Sequence, residues 1–162
     1  MYDKNKSWKT NIRDEIEKII KAENIDKTRF HEFDKHRYNK IITKFYYTFF
    51  DYEKYKNISL NYLWLKVRSD IKNEIVQGLN QCKNWNWSEY INNITKYIPD
   101  INKMYYLIFD YGWVYEGYIG DIEKVLLETT VILGDFYIVS KKFDRVIFRN
   151  DDGECMSVLE KL

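Results

Sequence analysis

The sequence predicts an α+β domain, with N-terminal helices packed on a C-terminal, largely antiparallel sheet of order ββαβββ. Three observations predict it. Apolar residues recur at helical spacing through most of the first hundred residues. From Met104 the chain changes to short apolar runs bounded by polar turns. The 162 residues, 45% of them apolar, are enough for one core. The expected organisation is a single domain, 1–162, helical over about 1–100 and sheet-forming over about 101–162.

The first helix is read from Ile12, Ile16, Ile19 and Ile20, at i, i+4, i+7 and i+8, with Ser7 and Thr10 available as caps. A second helical stretch is expected to start near Asp26 and to carry Phe30, Phe33, Ile41, Phe45 and Phe49. The run from Ile58 to Val67 alternates and reads as a strand. After Ser69, Ile71, Ile75, Val76 and Leu79 return to helical spacing, with Gly78 near the helix end. Ser88 caps a further helix bearing Ile91, Ile94 and Ile98, and Pro99 stops it because proline supplies no ladder N–H.

The remainder reads as strands 104–110 and 113–117 around a Tyr-Gly turn. A helix with Ile122, Val125, Leu126 and Thr129 on one side follows, its start bracketed by Gly117 and Gly120. Strands 136–140, 145–150 and 155–160 complete the pattern, the last two joined by an Asp-Gly pair suited to a hairpin. The strand-side helix and the N-terminal helices are available to cover one face of this sheet.

Composition excludes several classes. Disorder requires low hydrophobicity and high net charge, and this chain carries +1. Its apolar runs fall far short of the roughly 20 residues that cross a bilayer. The start MYDKNKSWKT has no apolar signal-peptide region, so a soluble, cytoplasmic protein is expected. Cys82 and Cys155 are read as isolated buried thiols, not a disulfide. No zinc-ligand spacing is present, and His31 and His36, five apart, would point to different faces of a helix; no metal and no cofactor are expected.

The near-neutral total hides an asymmetry. Residues 1–100 hold 19 Lys and Arg against 14 Asp and Glu, net +5; residues 101–162 hold 7 against 11, net −4. Such a split bears on partner choice, because an acidic patch captures basic partners faster. No nucleophile–base pair, phosphate-cradling glycine motif or HExxH is found, so no catalytic residue is assigned and an enzyme is not expected. Asp110, Glu116 and Asp121 cluster in sequence; a hard-cation site is one reading, a strand end, a strand position and a helix cap the other.

Asp144 falls at one turn, Asp151, Asp152 and Glu154 at another, and Asp110 and Tyr111 at the first hairpin. Loops between adjacent antiparallel strands can share a sheet end. Carboxylates there, with Tyr115 and Tyr118 nearby, suit a basic protein partner. The basic, aromatic N-terminal half admits the alternative of a nucleic-acid-binding module.

Two motifs carry a resemblance. Trp113, Val114, Tyr115, Glu116 and Gly117, and then Tyr137, Ile138, Val139, Ser140, Lys141, Lys142 and Phe143, are similar to a VYEG strand and a YYLVSKKY-type strand of a bacterial family of small proteins. A fainter likeness lies in Asn61–Trp64 and in the Pro99-terminated helix. That family resembles immunity proteins, cytoplasmic antidotes to polymorphic or contact-dependent toxins. Where family members continue with Trp-Leu and a histidine-bearing turn, this chain has Arg145, Val146 and Ile147, then Arg149, Asn150, Asp151 and Asp152. The resemblance implies a protein that binds and blocks a cognate toxin domain, a basic nuclease on the charge pattern. The contact candidates are Asp110, Tyr111, Glu116, Asp144, Asp151, Asp152 and Glu154.

Overall fold

The computed structural model of the chain describes residues 11–51, 67–75, 87–109, 112–129, 136–149 and 156–161. Helix α1 spans Asn11–Ala22, as its isoleucine spacing predicts, and buries Ile12, Ile16 and Ile20. It ends in a Schellman arrangement: Ile25 N–H donates to the Ile20 carbonyl at 2.9 Å and Asn24 N–H to that of Lys21 at 3.3 Å. Asn24 takes the left-handed conformation there, φ 51°.

The second expected helix is instead three elements. Asp26 does cap, but caps a turn, accepting from Thr28 N–H and Oγ1 at 2.8 Å each. Strand β1 (Phe30–Glu32) follows, then a 3-10 turn at Lys35–Arg37, and only then helix α2 (Tyr38–Phe49). Phe30 is therefore a strand residue, and His31 and His36 never share a helix. A second correction concerns Ile71–Ile75, which is strand β2 and not a helix. Spacing of four residues fits the same face of either element, and five registered partners on a distant strand decide it.

Helix α3 spans Trp87–Thr95, and the chain leaves it through turns donated to the Ile94 and Thr95 carbonyls before Pro99. Strands β3 (Met104–Phe109) and β4 (Val114–Tyr118), helix α4 (Ile119–Glu128), and strands β5 (Phe136–Ser140), β6 (Arg145–Arg149) and β7 (Met156–Lys161) reproduce the ββαβββ order. Gly112, at φ 88°, makes the β3–β4 turn. Ser7, Thr10, the run from 58 to 66, Gly78, both cysteines and the Asp-Gly pair lie outside the described residues.

The strands form one antiparallel sheet, ordered β1-β4-β3-β5-β6-β7-β2. Both of its edges come from the first hundred residues, so the helical and sheet-forming parts are not separate layers of sequence. Both faces are covered as well. On one, Phe45 of α2 packs on Tyr137 with ring centroids 4.9 Å apart; on the other, the Tyr115 hydroxyl donates to Glu17 of α1 at 3.2 Å. Helix α1 packs in turn on α4, and α4 on α3, β3 and β4. Strand β3 is accordingly buried from Tyr105 to Phe109. Among the described residues the aromatic surplus is largely core: Phe30, Tyr38, Phe45, Tyr46, Phe49, Phe109, Tyr115, Phe136 and Tyr137 are all fully enclosed.

Candidate functional site

The chemistry-bearing side chains gather where β1 docks on β4. Gly117 makes that docking possible, since a Cβ there would lie 2.6 Å from the Phe30 ring and 2.8 Å from the Arg29 carbonyl oxygen. From its spacing to Gly120, Gly117 is expected to bracket the start of a helix; the structure uses it to bring two strands together, and Phe30 stacks on Tyr115 at 5.3 Å.

Register places His31 opposite Glu116 and Glu116 opposite Tyr106. His31 sets Nε2 2.6 Å from Glu116 Oε1 and Nδ1 2.8 Å from the Lys27 carbonyl oxygen. The second carboxylate oxygen of Glu116 accepts from Lys141, which comes from the β5–β6 turn. Burial would push the Glu116 carboxyl up, but the Lys141 ammonium and the His31 ring outweigh it and hold the group below its ordinary value. A carboxylate so held stays ionised near neutral pH and is a poor proton donor there. Glu116 therefore joins the two motifs of the resemblance, one supplying the carboxylate and the other the lysine. The Lys141 ammonium also sits 3.9 Å from the centre of the Tyr106 ring.

Across the edge strand, on the α1 side, Glu32 accepts from Arg13 Nε and from the Tyr38 hydroxyl, each at 2.6 Å. Burial and this bond to Glu32 raise the Tyr38 phenol well above its ordinary value, so it remains a donor. Burial and the Glu17 carboxylate do the same to Tyr115. A cleft of about 270 Å³ opens between α1 and β1, lined by Arg13, Glu17, Ile20, Lys27, His31 and Glu32. Its carboxylates already have partners, including Lys27 at 3.6 Å from Glu17. Nothing in the sequence announced Arg13 and Glu32 as a pair; they are 19 residues apart, on elements whose docking depends on Gly117.

Of the expected contact residues, the structure describes Glu116 and Asp144. Asp144 closes the β5–β6 turn, accepting from Ser140 Oγ at 2.6 Å, while Ser140 Oγ accepts from the Asp144 and Arg145 amides. Asp110, Tyr111, Asp151, Asp152 and Glu154 lie outside the described residues. The strand ends that flank them are described: Phe109, Phe136, Arg149 and Met156 form one register row. The Asp144 turn is at the opposite end of the sheet. Asp121, the third member of the sequence cluster with Asp110 and Glu116, is buried in the first turn of α4 and accepts from Arg29 Nε at 3.0 Å. Among the described residues no group of three His, Cys, Asp or Glu could hold a metal ion, and no helix is long and apolar enough to cross a membrane.

The linear charge split does not survive folding as two separate bodies. Asp121 meets Arg29 and Glu116 meets His31, so carboxylates of the last third are covered by basic groups of the first hundred residues.

A model of a family of unknown function, DUF6756, matches residues 8–162. The chain belongs to the DUF6756 family. The match takes in every element described above, including both edge strands and the Glu116 cluster. No curated protein and no solved structure matches this DUF6756 protein.

Proposed function

We propose that this DUF6756 protein is an immunity-type protein, a cytoplasmic antidote that binds a cognate toxin domain, a basic nuclease given the acidic residues that follow β3 and β6 in sequence, and covers its active or substrate-binding surface. The observation that carries the reading is the row Phe109, Phe136, Arg149 and Met156. Strands β3 and β6 both end on it, and the chain continues from them into Asp110 and Tyr111 and into Asp151, Asp152 and Glu154. Carboxylates and a tyrosine in the sequence that follows these strands suit a Lys- and Arg-rich surface, because complementary potential steers encounter and tyrosine gives contact area at low entropy cost. The resemblance of the VYEG and YIVSKKF motifs to immunity proteins supports the same class. Their buried members, Trp113, Val114, Tyr115, Tyr137, Ile138, Val139 and Phe143, serve the fold, which leaves partner choice to the turns.

Co-expression with the toxin domain encoded beside this protein tests the proposal. Cell survival and a complex that co-elutes in gel filtration are expected. Reversing Asp110, Asp151 and Asp152 to lysine should slow association by about tenfold or more at low salt. Continued cell death with no complex refutes the reading.

A further inference from the structure

A second charged surface lies on the α2 side of the sheet, and its sign is opposite. Three aromatic rings form a shelf: Phe33 just beyond β1, Tyr106 in β3 and Phe143 in the β5–β6 turn, with centroids 5.5 Å apart for the first pair and 5.6 Å for the second. A cation sits over each. The Arg37 guanidinium is 5.2 Å from the centre of Phe33, the Lys141 ammonium 3.9 Å from that of Tyr106, and the Lys44 ammonium 4.6 Å from that of Phe143. Arg37 caps the start of α2 and Lys44 lies within it, and the continuous row of rings beneath them puts both on one side of the sheet. Both are exposed, and among the described residues neither has a carboxylate within ion-pairing distance. Lys141 shares Glu116 with His31. Contact with a ring face fixes where each cation stands without consuming its N–H donors.

We infer that this shelf docks an acidic protein segment, its Asp or Glu carboxylates pairing with Arg37 and Lys44 beside Lys141. Charge complementarity selects an anionic occupant. The state of the rings selects between its two sources: Tyr106 and Phe143 are buried beneath their cations and Phe33 is half-buried beneath Arg37, so the shelf offers cations and not open ring faces for a nucleobase to stack on. Carboxylates need only N–H donors, which contact with the rings leaves available. The inference stands apart from the toxin reading, which concerns the other end of the sheet.

The test is fluorescence anisotropy of the full chain with three labelled probes: a Glu-rich peptide, a Lys-rich peptide and a single-stranded oligonucleotide. The Glu-rich peptide should bind, more weakly as salt rises. The double variant Arg37→Gln and Lys44→Gln should weaken it about tenfold, as expected for losing two exposed ion pairs. Both side chains are exposed and Arg37 makes no side-chain capping bond, so circular dichroism should be unchanged. Lys124→Gln, on the exposed side of α4, should leave binding within about twofold. Failure to bind the Glu-rich peptide, tighter binding of the oligonucleotide through Arg37 and Lys44, or equal loss in Lys124→Gln would each overturn the inference.

Discussion

Replacing Gly117 by alanine is the sharpest probe of how β1 is held. The added Cβ would stand 2.6 Å from Phe30 Cδ2, 2.8 Å from the Arg29 carbonyl oxygen and 3.1 Å from Phe30 Cα. Ordinary carbon contacts are about 3.5–4.0 Å, so β1 must retreat from β4 by about 1 Å. Two of the three obstacles are backbone atoms, and the third belongs to a ring with no exposed surface, so no flexible side-chain end can yield. The retreat strains the bond from Tyr118 N–H to the Arg29 carbonyl, now 3.0 Å, and the Phe30–Tyr115 stack. Overpacking of this kind costs about 1–3 kcal/mol, and a weakened hydrogen bond adds about 1. A loss of about 2–3 kcal/mol lowers Tm by about 5–10 °C in a chain of this size, which thermal circular dichroism resolves. Gly120→Ala is the matched control, because nothing lies within 4 Å of its Cβ, and it should melt at or slightly above the wild-type temperature. If Gly117→Ala and Gly120→Ala melt alike, the close approach of β1 to β4 is not what Gly117 serves.

Glu116→Gln should destabilise the protein by about 1–2 kcal/mol at neutral pH, the partial exposure of Lys141 and His31 moderating the loss. Because the folded protein lowers the Glu116 pKa, its ionic contribution is fully present above the ordinary carboxylate value and fades as pH falls through the lowered one. The gap between wild type and Glu116→Gln in denaturant melts should therefore narrow on acidification; a gap that widens refutes the assignment. Asn24→Val places a β-branched residue at φ 51° and should cost about 1–2 kcal/mol, read as a lower urea midpoint with unchanged slope. Tyr38→Phe removes the donor to Glu32 and should cost about 1 kcal/mol in the same assay.

The C-terminal strands were legible because their partners are near in sequence. Residues 136–140 and 145–149 form a hairpin whose short polar turn is written in Lys141, Lys142 and Asp144. The edge strands were not, because what makes them strands lies far away. Phe30–Glu32 is three residues long, and its extended state follows from Gly117, more than eighty residues on. Ile71 and Ile75 satisfy helix and strand alike, and the deciding partners lie in β7. The Glu116 cluster was half visible: the carboxylate was singled out by its neighbourhood of acids, yet its partners are basic. Register brings His31 opposite it, and Lys141 reaches it from the β5–β6 turn across the Tyr106 ring.

The placement of β1 and β2 at the two sheet margins has a consequence for biogenesis. The last sixty or so residues contain β3 to β7, yet on their own they would present two bare rims, β4 on one side and β7 on the other. Unpaired rims recruit other chains. The amino-terminal half, made first on the ribosome, supplies the strand that pairs with each rim, β1 on β4 and β2 on β7. Truncation before β3 should therefore yield material that associates through those rims more readily than the full chain does, read by light scattering at matched concentration.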